Sequence, residues 1–307
     1  MIQSLYCVIV NWNLKQDTLA LIQSLFDSGI LPGRAIVIDN ASTDGSVEAL
    51  ETHFKSYVQI IKSARNLGFT GGNNLGIEYA LSKGAEWVLL LNNDTTVSPD
   101  FLEELEKVGN NHPEFAIFGP LIFYHDKPDR VWYLGDRLIP WTLATYSLYR
   151  EQLEPRSCPE ALPVDFITGC GMLVNRKVFE AVGLLDTSLF MYGEDADFCW
   201  RARQSGFKLA AAPRARMWHK VSTSASREKE VHRYLRSRNQ NRFYRVYSRG
   251  PQIPLMFAFS LLQLIRRIGS DLIQFQPHLA RPLVNGWKDG WLYPHHPVRV
   301  SYGTYDL

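Results

Sequence analysis

The sequence predicts an α/β protein built around a mainly parallel, doubly wound sheet. Short apolar runs alternate with amphipathic segments in the first hundred or so residues, in the order β-α-β-α-β-α-β with short connections. The apolar run at residues 87–91 is unbroken, which is typical of a strand buried on both faces. Polar clusters follow the first, second and fourth predicted strands, at the sheet edge where such folds bind ligands.

The predicted elements of this half follow from hydrophobic periodicity. Leu19, Ile22 and Leu25 share one face of the first helix. The glycine-containing stretch 66–74 is predicted to be a loop, and Ser98 is the expected N-cap of a helix that opens at Pro99. The predicted strands cover residues 5–10, 35–38, 58–62 and 87–91, and the predicted helices cover residues 15–28, 46–54 and 75–82.

Composition limits the classes of function. Among 307 residues, 46% are hydrophobic and 21% are charged, as in ordinary folded soluble proteins. A net charge of +2 argues against nucleic acid as a partner. The four cysteines are scattered without a CxxC pair, which fits a reduced compartment and neither a zinc site nor a disulfide scaffold. No signal peptide is recognisable, so a cytoplasmic location is expected.

After residue 115 the pattern indicates a mixed sheet. The strand predicted at 207–212 is followed by a segment, 213–219, that leads away from it, and a helix is expected to open at Gly193. The other predictions are extended segments at 118–124 and 130–141, a loop at 151–163, a glycine-interrupted strand at 164–174 and a helix at 176–182.

The C-terminal part is predicted to be helical. Residues 227–247 form a basic and aromatic helix, and residues 287–297 are read as an irregular aromatic tail. The apolar segment 254–265 is shorter than the roughly 20 residues that cross a bilayer. Because Arg266 and Arg267 follow it, it suits a helix lying in the plane of an anionic membrane surface. A core or interface helix that covers the sheet is the open alternative.

Six motifs occur in order between residues 5 and 219: VIVNWN, VIDNASTDGS, NLGFTGGNNLGI, LLLNNDT, TGCGMLV and MYGEDADFCWRARQSG. Each motif alone is weak, but the ordered set resembles the family 2 glycosyltransferases of the GT-A fold, in particular bacterial rhamnosyltransferase-like members. The resemblance implies a GT-A domain over residues 1–222, with a Rossmann-like, mainly parallel sheet flanked by helices. Residues 223–307 would be a helical C-terminal extension in contact with the membrane or the acceptor.

The activity that this resemblance implies is sugar transfer with inversion in cell-surface polysaccharide biosynthesis. The donor would be a nucleoside diphosphate sugar, either a dTDP- or a UDP-sugar, with rhamnose as the first candidate sugar. The acceptor would be a saccharide or a lipid-linked saccharide, and Mn²⁺ or Mg²⁺ would be the cofactor. The protein would then be cytoplasmic, with peripheral contact at the inner face of the membrane. A nucleotidyltransferase and a non-catalytic sugar-nucleotide-binding protein are the alternatives.

By resemblance, the donor contacts come from the polar strand ends. Asn11 and Trp12 would lie beside the nucleotide, and Asp39 would bind its base or ribose, since a carboxylate accepts hydrogen bonds from imide and hydroxyl groups. An N-cap or a turn is the alternative role for Asp39. The other donor-binding candidates are Asn66, Gly68, Asn73, Asn93, Gly169 and Arg201.

The sequence 92–94, Asn-Asn-Asp, occupies the place of the family's DxD metal motif. Its first position is Asn, a departure that leaves Asp94 as the one carboxylate. His219 matches the C-terminal histidine that completes the metal site, although a lone histidine is more often a surface or core residue. Imidazole suits Mn²⁺ better than Mg²⁺. Metal binding is therefore expected to be modest and to depend mainly on the donor diphosphate.

The pair Glu194 and Asp195 matches the family's xED motif. Asp195 would be the catalytic base that takes the proton of the acceptor hydroxyl as it attacks the anomeric carbon opposite the diphosphate. Glu194 would orient the acceptor. The alternative is that these acids only stabilise a helix N-terminus, which explains Asp197 well. Cys170 is interpreted as a small packing residue and not as a nucleophile.

Overall fold

The structure, a computed structural model, describes residues 4–155, 157–221, 229–295, 301–302 and 305–306. Its strands are β1 (Leu5–Asn11), β2 (Ala35–Asp39), β3 (Val58–Lys62), β4 (Trp87–Asn92), β5 (Thr95–Val97), β6 (Phe115–Tyr124), β7 (Val131–Tyr133), β8 (Asp136–Leu138), β9 (Thr145–Ser147), β10 (Leu162–Val164), β11 (Gly171–Asn175), β12 (Lys208–His219), β13 (Ser301–Tyr302) and β14 (Tyr305–Asp306). Its helices are α1 (Lys15–Asp27), α2 (Ser46–Phe54), α3 (Gly68–Ser82), α4 (Phe101–Asn111), α5 (Arg176–Val182), α6 (Glu194–Gln204), α7 (Lys229–Tyr247), α8 (Gln252–Ile273) and α9 (Ala280–Leu292).

A ten-stranded mixed sheet organises the described chain. Eight strands follow one another as β10-β12-β6-β11-β4-β1-β2-β3, with β5 beside β12 and β7 beside β6. The four strands β4, β1, β2 and β3 are parallel, whereas β11 runs antiparallel to both β4 and β6. The predicted architecture, a mainly parallel sheet flanked by helices with a helical extension, is confirmed. The predicted domain boundary falls on residues 222–228, outside the described part.

The central strands are buried on both faces, as the unbroken apolar run predicted. Leu89 and Leu91 of β4 pack into the core on one side of the sheet, and Val88 and Leu90 pack into the core on the other. All four side chains are at most 2% exposed. Because side chains alternate along a strand, both cores are built from every second residue of β1, β2 and β4.

The predicted loop at residues 66–74 is wrong for most of its length, because α3 begins well before residue 75. Two glycines of α3 face β1 from within the helix. A Cβ on Gly72 would lie 2.9 Å from Val10, and a Cβ on Gly76 would lie 2.3 Å from Val8. The helix can approach β1 this closely only without side chains there, so close packing outweighs the low helix propensity of glycine.

Three boundaries after residue 92 also differ from prediction. The helix expected at Pro99 begins at Phe101, because Thr95–Val97 forms β5 and the Ser98 hydroxyl donates to Asp100 instead of capping the helix. The strand expected at 164–174 is split into β10 and β11, and the turn between them reaches the sheet edge. Pro213 does not end β12, because an irregularity between Ala212 and Arg216 accommodates it.

The C-terminal helices pack on the domain and on each other. The aromatic tail predicted to be irregular is wrong up to residue 292, since Trp287 and Trp291 lie in α9. A Cβ on Gly286 of α9 would lie 2.4 Å from the Tyr234 carbonyl of α7, so these two helix backbones are in direct contact. Trp291 donates a hydrogen bond of 2.9 Å to Asn241 of α7.

Helix α8 is longer than the twelve or so apolar residues expected from the sequence. It has 22 residues and, within the described residues, its length and composition would allow it to cross a membrane; only 17% of its apolar window is buried. The apolar segment 254–265 is thus part of a longer helix than the sequence analysis predicted. Its exposed apolar side chains include Leu255, Leu262, Ile265, Leu272 and Ile273.

Candidate active site

A cavity of about 470 Å³ opens where the parallel strands end. It brings together Asp94, from the turn after β4, and Asp195, from the start of α6. The two acids that the sequence assigned to metal binding and to catalysis thus face one cleft. The predicted site residues that line it are Trp12, Asn66, Gly68, Asn93, Asp94, Gly169, Glu194, Asp195 and His219.

A buried polar network joins the strand ends beside this cavity. The side-chain Nδ2 of Asn11 donates to Asp39 Oδ1 over 3.0 Å. The Thr18 hydroxyl donates to the side-chain Oδ1 of Asn11 over 2.6 Å. Asn93 donates to both Asn11 and Thr18, over 3.2 and 3.0 Å. Asn11 and Asp39 are not among the lining residues. The network fixes where β1, β2 and β4 end, and it holds Asn93 at the cavity wall.

Asp39 also performs the turn role that was the alternative for it. Its Oδ2 accepts a hydrogen bond of 3.1 Å from the Ser42 backbone N–H. The side chain is 4% exposed, so both carboxylate oxygens are engaged inside the protein. A direct contact between Asp39 and the nucleotide stays a prediction.

Asn40, which the sequence reasoning missed, holds the loop that enters α3. Its Nδ2 donates to Asn66 Oδ1 over 2.8 Å and to the Gly68 carbonyl over 3.0 Å, while its Oδ1 accepts from the Leu67 N–H over 2.9 Å. Gly68 has φ +71°, and a Cβ there would lie 2.5 Å from the Phe190 ring. Glycine is required at that position on both counts.

Backbone pairing brings the two candidate metal ligands together. Strand β5 pairs with β12 so that His219 lies opposite Thr95, next in sequence to Asp94. His219 Nε2 then lies 3.1 Å from Asp94 Oδ1, and both side chains are 8% exposed. Burial lowers the pKa of His219, but the Cys170 thiol and the hydrogen bond with Asp94 outweigh burial and raise the pKa to about 10.

This pair fits a divalent ion that displaces the proton of His219 Nε2, since a histidine ligand must be neutral. Within the described residues no group of three or more His, Cys, Asp or Glu side chains could hold a metal, so Asp94 and His219 are the candidate ligands of these four types. Ligands about 2.1 Å from an octahedral ion and at right angles are about 3.0 Å apart, close to the spacing of Asp94 and His219. The remaining ligands would come from the donor and water, as Mg²⁺ and Mn²⁺ sites on phosphates commonly arrange.

The acids at the start of α6 have different surroundings. Asp195 accepts hydrogen bonds from the backbone N–H groups of Gly169, over 3.1 Å, and Ala196, over 2.8 Å. Burial raises the pKa of Asp195, and these bonds oppose that rise. Glu194 is 6% exposed, and its Oε2 has no hydrogen-bond partner among the described residues.

Burial, and then the charge of Asp195, raise the pKa of Glu194 well above its usual range. Hydrogen bonds to a carboxylate favour its ionised form, so Asp195 is the better base of the two. These surroundings favour the protonated form of Glu194, which can donate a hydrogen bond. The two backbone N–H groups favour the ionised form of Asp195.

A second cavity, of about 1070 Å³, adjoins the first. It is enclosed by the turn before β11, the β8–β9 hairpin and the helices α7 and α8. Asp195 lines both cavities, as do Trp132, Thr168, Tyr192 and Arg236. Asp195 therefore lies at the junction between a cavity that holds the candidate metal ligands and a cavity that reaches the C-terminal helices.

Residues 6–183 match the sequence model of the family described as Glycosyl transferase family 2, which is more than half of the chain. The protein belongs to glycosyl transferase family 2. It is 28% identical over 242 residues to the Low-salt glycan biosynthesis hexosyltransferase Agl10 of Haloferax volcanii, with 78% of this chain and 75% of the relative covered.

Two further relatives of this glycosyltransferase are named as rhamnosyltransferases. It is 26% identical over 245 residues to the dTDP-rhamnosyl transferase RfbF of Shigella flexneri, with 77% of this chain and 78% of the relative covered. It is 28% identical over 228 residues to the N-acetylglucosaminyl-diphospho-decaprenol L-rhamnosyltransferase of Mycobacterium tuberculosis, with 66% of this chain and 71% of the relative covered.

Solved structures place this glycosyltransferase in the GT-A fold. A mannosyltransferase, PcManGT from Pyrobaculum calidifontis, solved in complex with GDP-Man and Mn²⁺, superposes with a TM-score of 0.57 at 12% identity. The superposition covers 95% of this chain and 88% of the mannosyltransferase. The prediction of a rhamnosyltransferase-like member of family 2 with a GT-A fold is confirmed.

Besides Asn11 and Asp39, two more predicted donor-binding residues are not in the lining of the cavity. Asn73 lies inside α3, where its amide donates to the Phe69 carbonyl over 2.8 Å. Arg201 pairs with Asp197 over 2.8 Å and donates to two carbonyls in the segment from Val182 to Leu184 that follows α5. Arg201 thereby ties α6 to the rest of the domain, and its guanidinium is not available to a phosphate.

Sequence reasoning was sound for Cys170. The thiol is 4% exposed and faces His219, and burial raises its pKa despite that contact. A protonated thiol is a poor nucleophile, so the packing role fits. Trp132, in contrast, was missed. Its ring lies edge-on to His219 with 4.6 Å between ring centroids, and only its position in a short strand after β6 brings it there.

Proposed function

We propose that this glycosyltransferase moves a hexosyl group, with rhamnose as the first candidate, from a nucleoside diphosphate to a saccharide hydroxyl with inversion. The donor lies in the 470 Å³ cavity and the acceptor in the 1070 Å³ cavity. The observation that supports this proposal is the position of Asp195, which lines both cavities. A general base must reach the acceptor proton while the donor carbon is on the far side of that hydroxyl.

The reaction needs one proton transfer and one displacement. The acceptor oxygen forms a bond to the anomeric carbon as its proton passes to Asp195, and the bond from that carbon to the diphosphate oxygen breaks. The nucleoside diphosphate leaves with the bonding electrons, and attack from the opposite face inverts the carbon. Asp94 and His219 would hold a divalent ion, which would offset the charge that develops on the leaving diphosphate.

We propose a dTDP-sugar or UDP-sugar as donor and a lipid-linked saccharide as acceptor. The names of the Shigella and Mycobacterium relatives support rhamnose and a diphospho-lipid acceptor. The deciding experiment offers a panel of dTDP- and UDP-sugars with Mn²⁺ and measures release of the nucleoside diphosphate. Release in wild type that is lost in Asp94→Ala would exclude a non-catalytic binder. Formation of inorganic diphosphate from a nucleoside triphosphate and a sugar phosphate would instead indicate a nucleotidyltransferase.

Glu194 gives a prediction based on its proton. Because a protonated Glu194 donates one hydrogen bond, Glu194→Gln should keep transfer within about tenfold of wild type, since the amide also donates. Glu194→Ala removes the donor and should reduce kcat by about 10²-fold, the order seen when one positioned donor is lost. Both values come from initial rates at saturating donor. Equal losses in the two variants would show that Glu194 acts as an ionised carboxylate.

We propose that α8 holds the enzyme at the cytoplasmic face of the membrane. Leu262 and Ile265 are 66% and 60% exposed, on a helix whose apolar window is largely unburied. Exposed apolar surface next to the exposed Arg266 suits an anionic bilayer surface.

Replacing Leu262 and Ile265 together by Gln should weaken vesicle binding at least about tenfold, because each such side chain contributes about 1.5 kcal/mol or more when buried. Flotation with phosphatidylglycerol vesicles measures the effect. Leu31→Gln, at a 39% exposed leucine between α1 and β2, is the matched control and should bind as wild type does. Unchanged flotation of the double variant would rule out α8 as the membrane contact.

A further inference from the structure

The larger cavity carries an excess of positive charge on the side formed by the C-terminal helices. Arg233 and Arg236 of α7 and Arg267 of α8 all line it. Arg233 is ion-paired with Asp271. Arg236 lies with its guanidinium carbon 4.4 Å from the centre of the Tyr192 ring. Within the described residues no carboxylate lies within ion-pair distance of Arg267, so three cations share one acid.

These arginines act on one another. Burial lowers the pKa of Arg267, and the charges of Arg233 and Arg236 lower it further, while Tyr244 and Asp271 oppose this fall. An arginine nevertheless stays charged in proteins, so the cavity keeps this unbalanced charge until an anion enters. A guanidinium fork matches phosphate or carboxylate oxygens with two parallel hydrogen bonds, and the lipid-linked acceptor of the proposed function supplies a phosphate.

The opposite side of the same cavity carries two acids, Asp136 of β8 and Asp195, with Arg150 also in the lining. Burial raises the pKa of Asp136 and the charge of Asp195 adds to that rise, while hydrogen bonds from Ser147 and Thr145 and the charge of Arg150 oppose it. Asp136 Oδ1 is buried and has no hydrogen-bond partner in the described chain. Carboxylate oxygens accept hydrogen bonds from sugar hydroxyls but repel phosphate. The cavity is thus divided into a side suited to a sugar and a side suited to a phosphate.

Helix α8 connects the phosphate side to the apolar surface. Gln263 and Arg267, one turn apart, face the cavity. Leu262 and Ile265, on the other face of the same turn, are 66% and 60% exposed. A ligand whose phosphate lies against Arg267 can therefore continue onto an apolar helix surface without leaving the protein.

From this arrangement we infer that the arginines of α7 and α8 form a binding site for the phosphate or diphosphate that joins the acceptor sugar to an apolar chain. The inference rests on the proposed function, because it assigns the sugar end of that molecule to Asp195. Arg267 is the main phosphate-binding residue of this proposed site. Arg233 and Arg236 add charge, and α8 offers Leu262 and Ile265 to the apolar chain.

The test uses farnesyl diphosphate as probe and the whole protein in EDTA, so that no metal can hold a diphosphate near Asp94. Calorimetry should show farnesyl diphosphate binding at least about tenfold more tightly than farnesol. Arg267→Gln should weaken farnesyl diphosphate binding at least about tenfold and leave farnesol unchanged. Arg266→Gln, the same charge change at the exposed neighbouring residue, should leave both unchanged.

Two further measurements distinguish the possible sources of the bound phosphate: the acceptor lipid, a free anion or a membrane headgroup. Inorganic diphosphate should compete with farnesyl diphosphate only weakly, because it lacks the apolar chain, and equal affinity would point to a site for free anions. Phosphatidylglycerol vesicles should bind Arg267→Gln and Arg266→Gln equally. A loss of vesicle binding in Arg267→Gln alone would mean that the site binds membrane headgroups, and would overturn the assignment to the acceptor.

The remaining outcomes separate this inference from the proposed function. Equal losses of farnesyl diphosphate binding in Arg267→Gln and Arg266→Gln would show that only overall charge matters. A lower Tm of Arg267→Gln without loss of probe binding would show a structural role, whereas the expected Tm is unchanged or higher. Binding of dTDP or UDP with Mn²⁺ is measured in parallel: if it persists while farnesyl diphosphate fails to bind, only the arginine site is rejected. If the reverse holds, the donor function is rejected and the arginine site stands.

Discussion

Asp195→Asn is expected to lower kcat for sugar transfer by about 10²–10⁴-fold, the range that a positioned general base contributes. The amide preserves the shape of the side chain, and its oxygen can still accept from the Gly169 or Ala196 N–H. What it cannot do is take the acceptor proton at the junction of the two cavities. The measurement is nucleoside diphosphate release with acceptor present, beside the Kd of dTDP with Mn²⁺, which should change less than about threefold.

The pH profile gives a second readout of the same substitution. Burial raises the pKa of Asp195 above its usual range, and transfer needs the ionised carboxylate. The rate should therefore be constant above that pKa and fall about tenfold per pH unit below it. Asp195→Asn should lose this acid limb, while Asp27→Asn, at an exposed residue at the end of α1, should keep both the limb and the rate. An acid limb that survives in Asp195→Asn would assign the base to another group.

The parallel half of the fold could be predicted because its signals are local. The strand at residues 58–62 has the predicted bounds, and so does the helix at 46–54, since apolar periodicity and flanking turn residues define both. The cluster of Asp39, Asn40 and Ser42 was recognised as a strand end facing the site. The individual roles within it were not, because they depend on which partners the neighbouring strands bring close.

The errors share one physical cause, which is contact between segments distant in sequence. Glycine normally ends helices, yet Gly72 and Gly76 continue α3 because Val10 and Val8 leave no room for side chains. Proline normally ends strands, yet β12 passes Pro213 because β6 pairs with it on both sides of the irregularity. Arg201 suggested a phosphate ligand, but Asp197, one turn before it in α6, and nearby carbonyls satisfy its donors.

The metal site gives the second large expected effect. Asp94→Ala should reduce transfer by about 10²–10³-fold, because loss of the one carboxylate ligand removes most of the fixed charge stabilisation at the leaving diphosphate. The donor's affinity should also lose its dependence on Mn²⁺. Titrating dTDP at stepped Mn²⁺ concentrations measures this, with wild type showing the dependence. The transfer rate of His219→Gln should lie between the rates of wild type and Asp94→Ala, since Asp94 remains.

Asn92 makes this prediction sharper, because the family pattern has an acid where this chain has an amide. Asn92 lines the same cavity as Asp94 and His219, so a carboxylate there would face the same ion. Asn92→Asp should lower the Mn²⁺ concentration for half-maximal dTDP binding by about tenfold, since a charged oxygen replaces a neutral one in a buried site. If Asp94→Ala keeps its Mn²⁺ dependence and Asn92→Asp does not strengthen it, the ion is held elsewhere, and the pairing of Asp94 with His219 serves only to join β5 to β12.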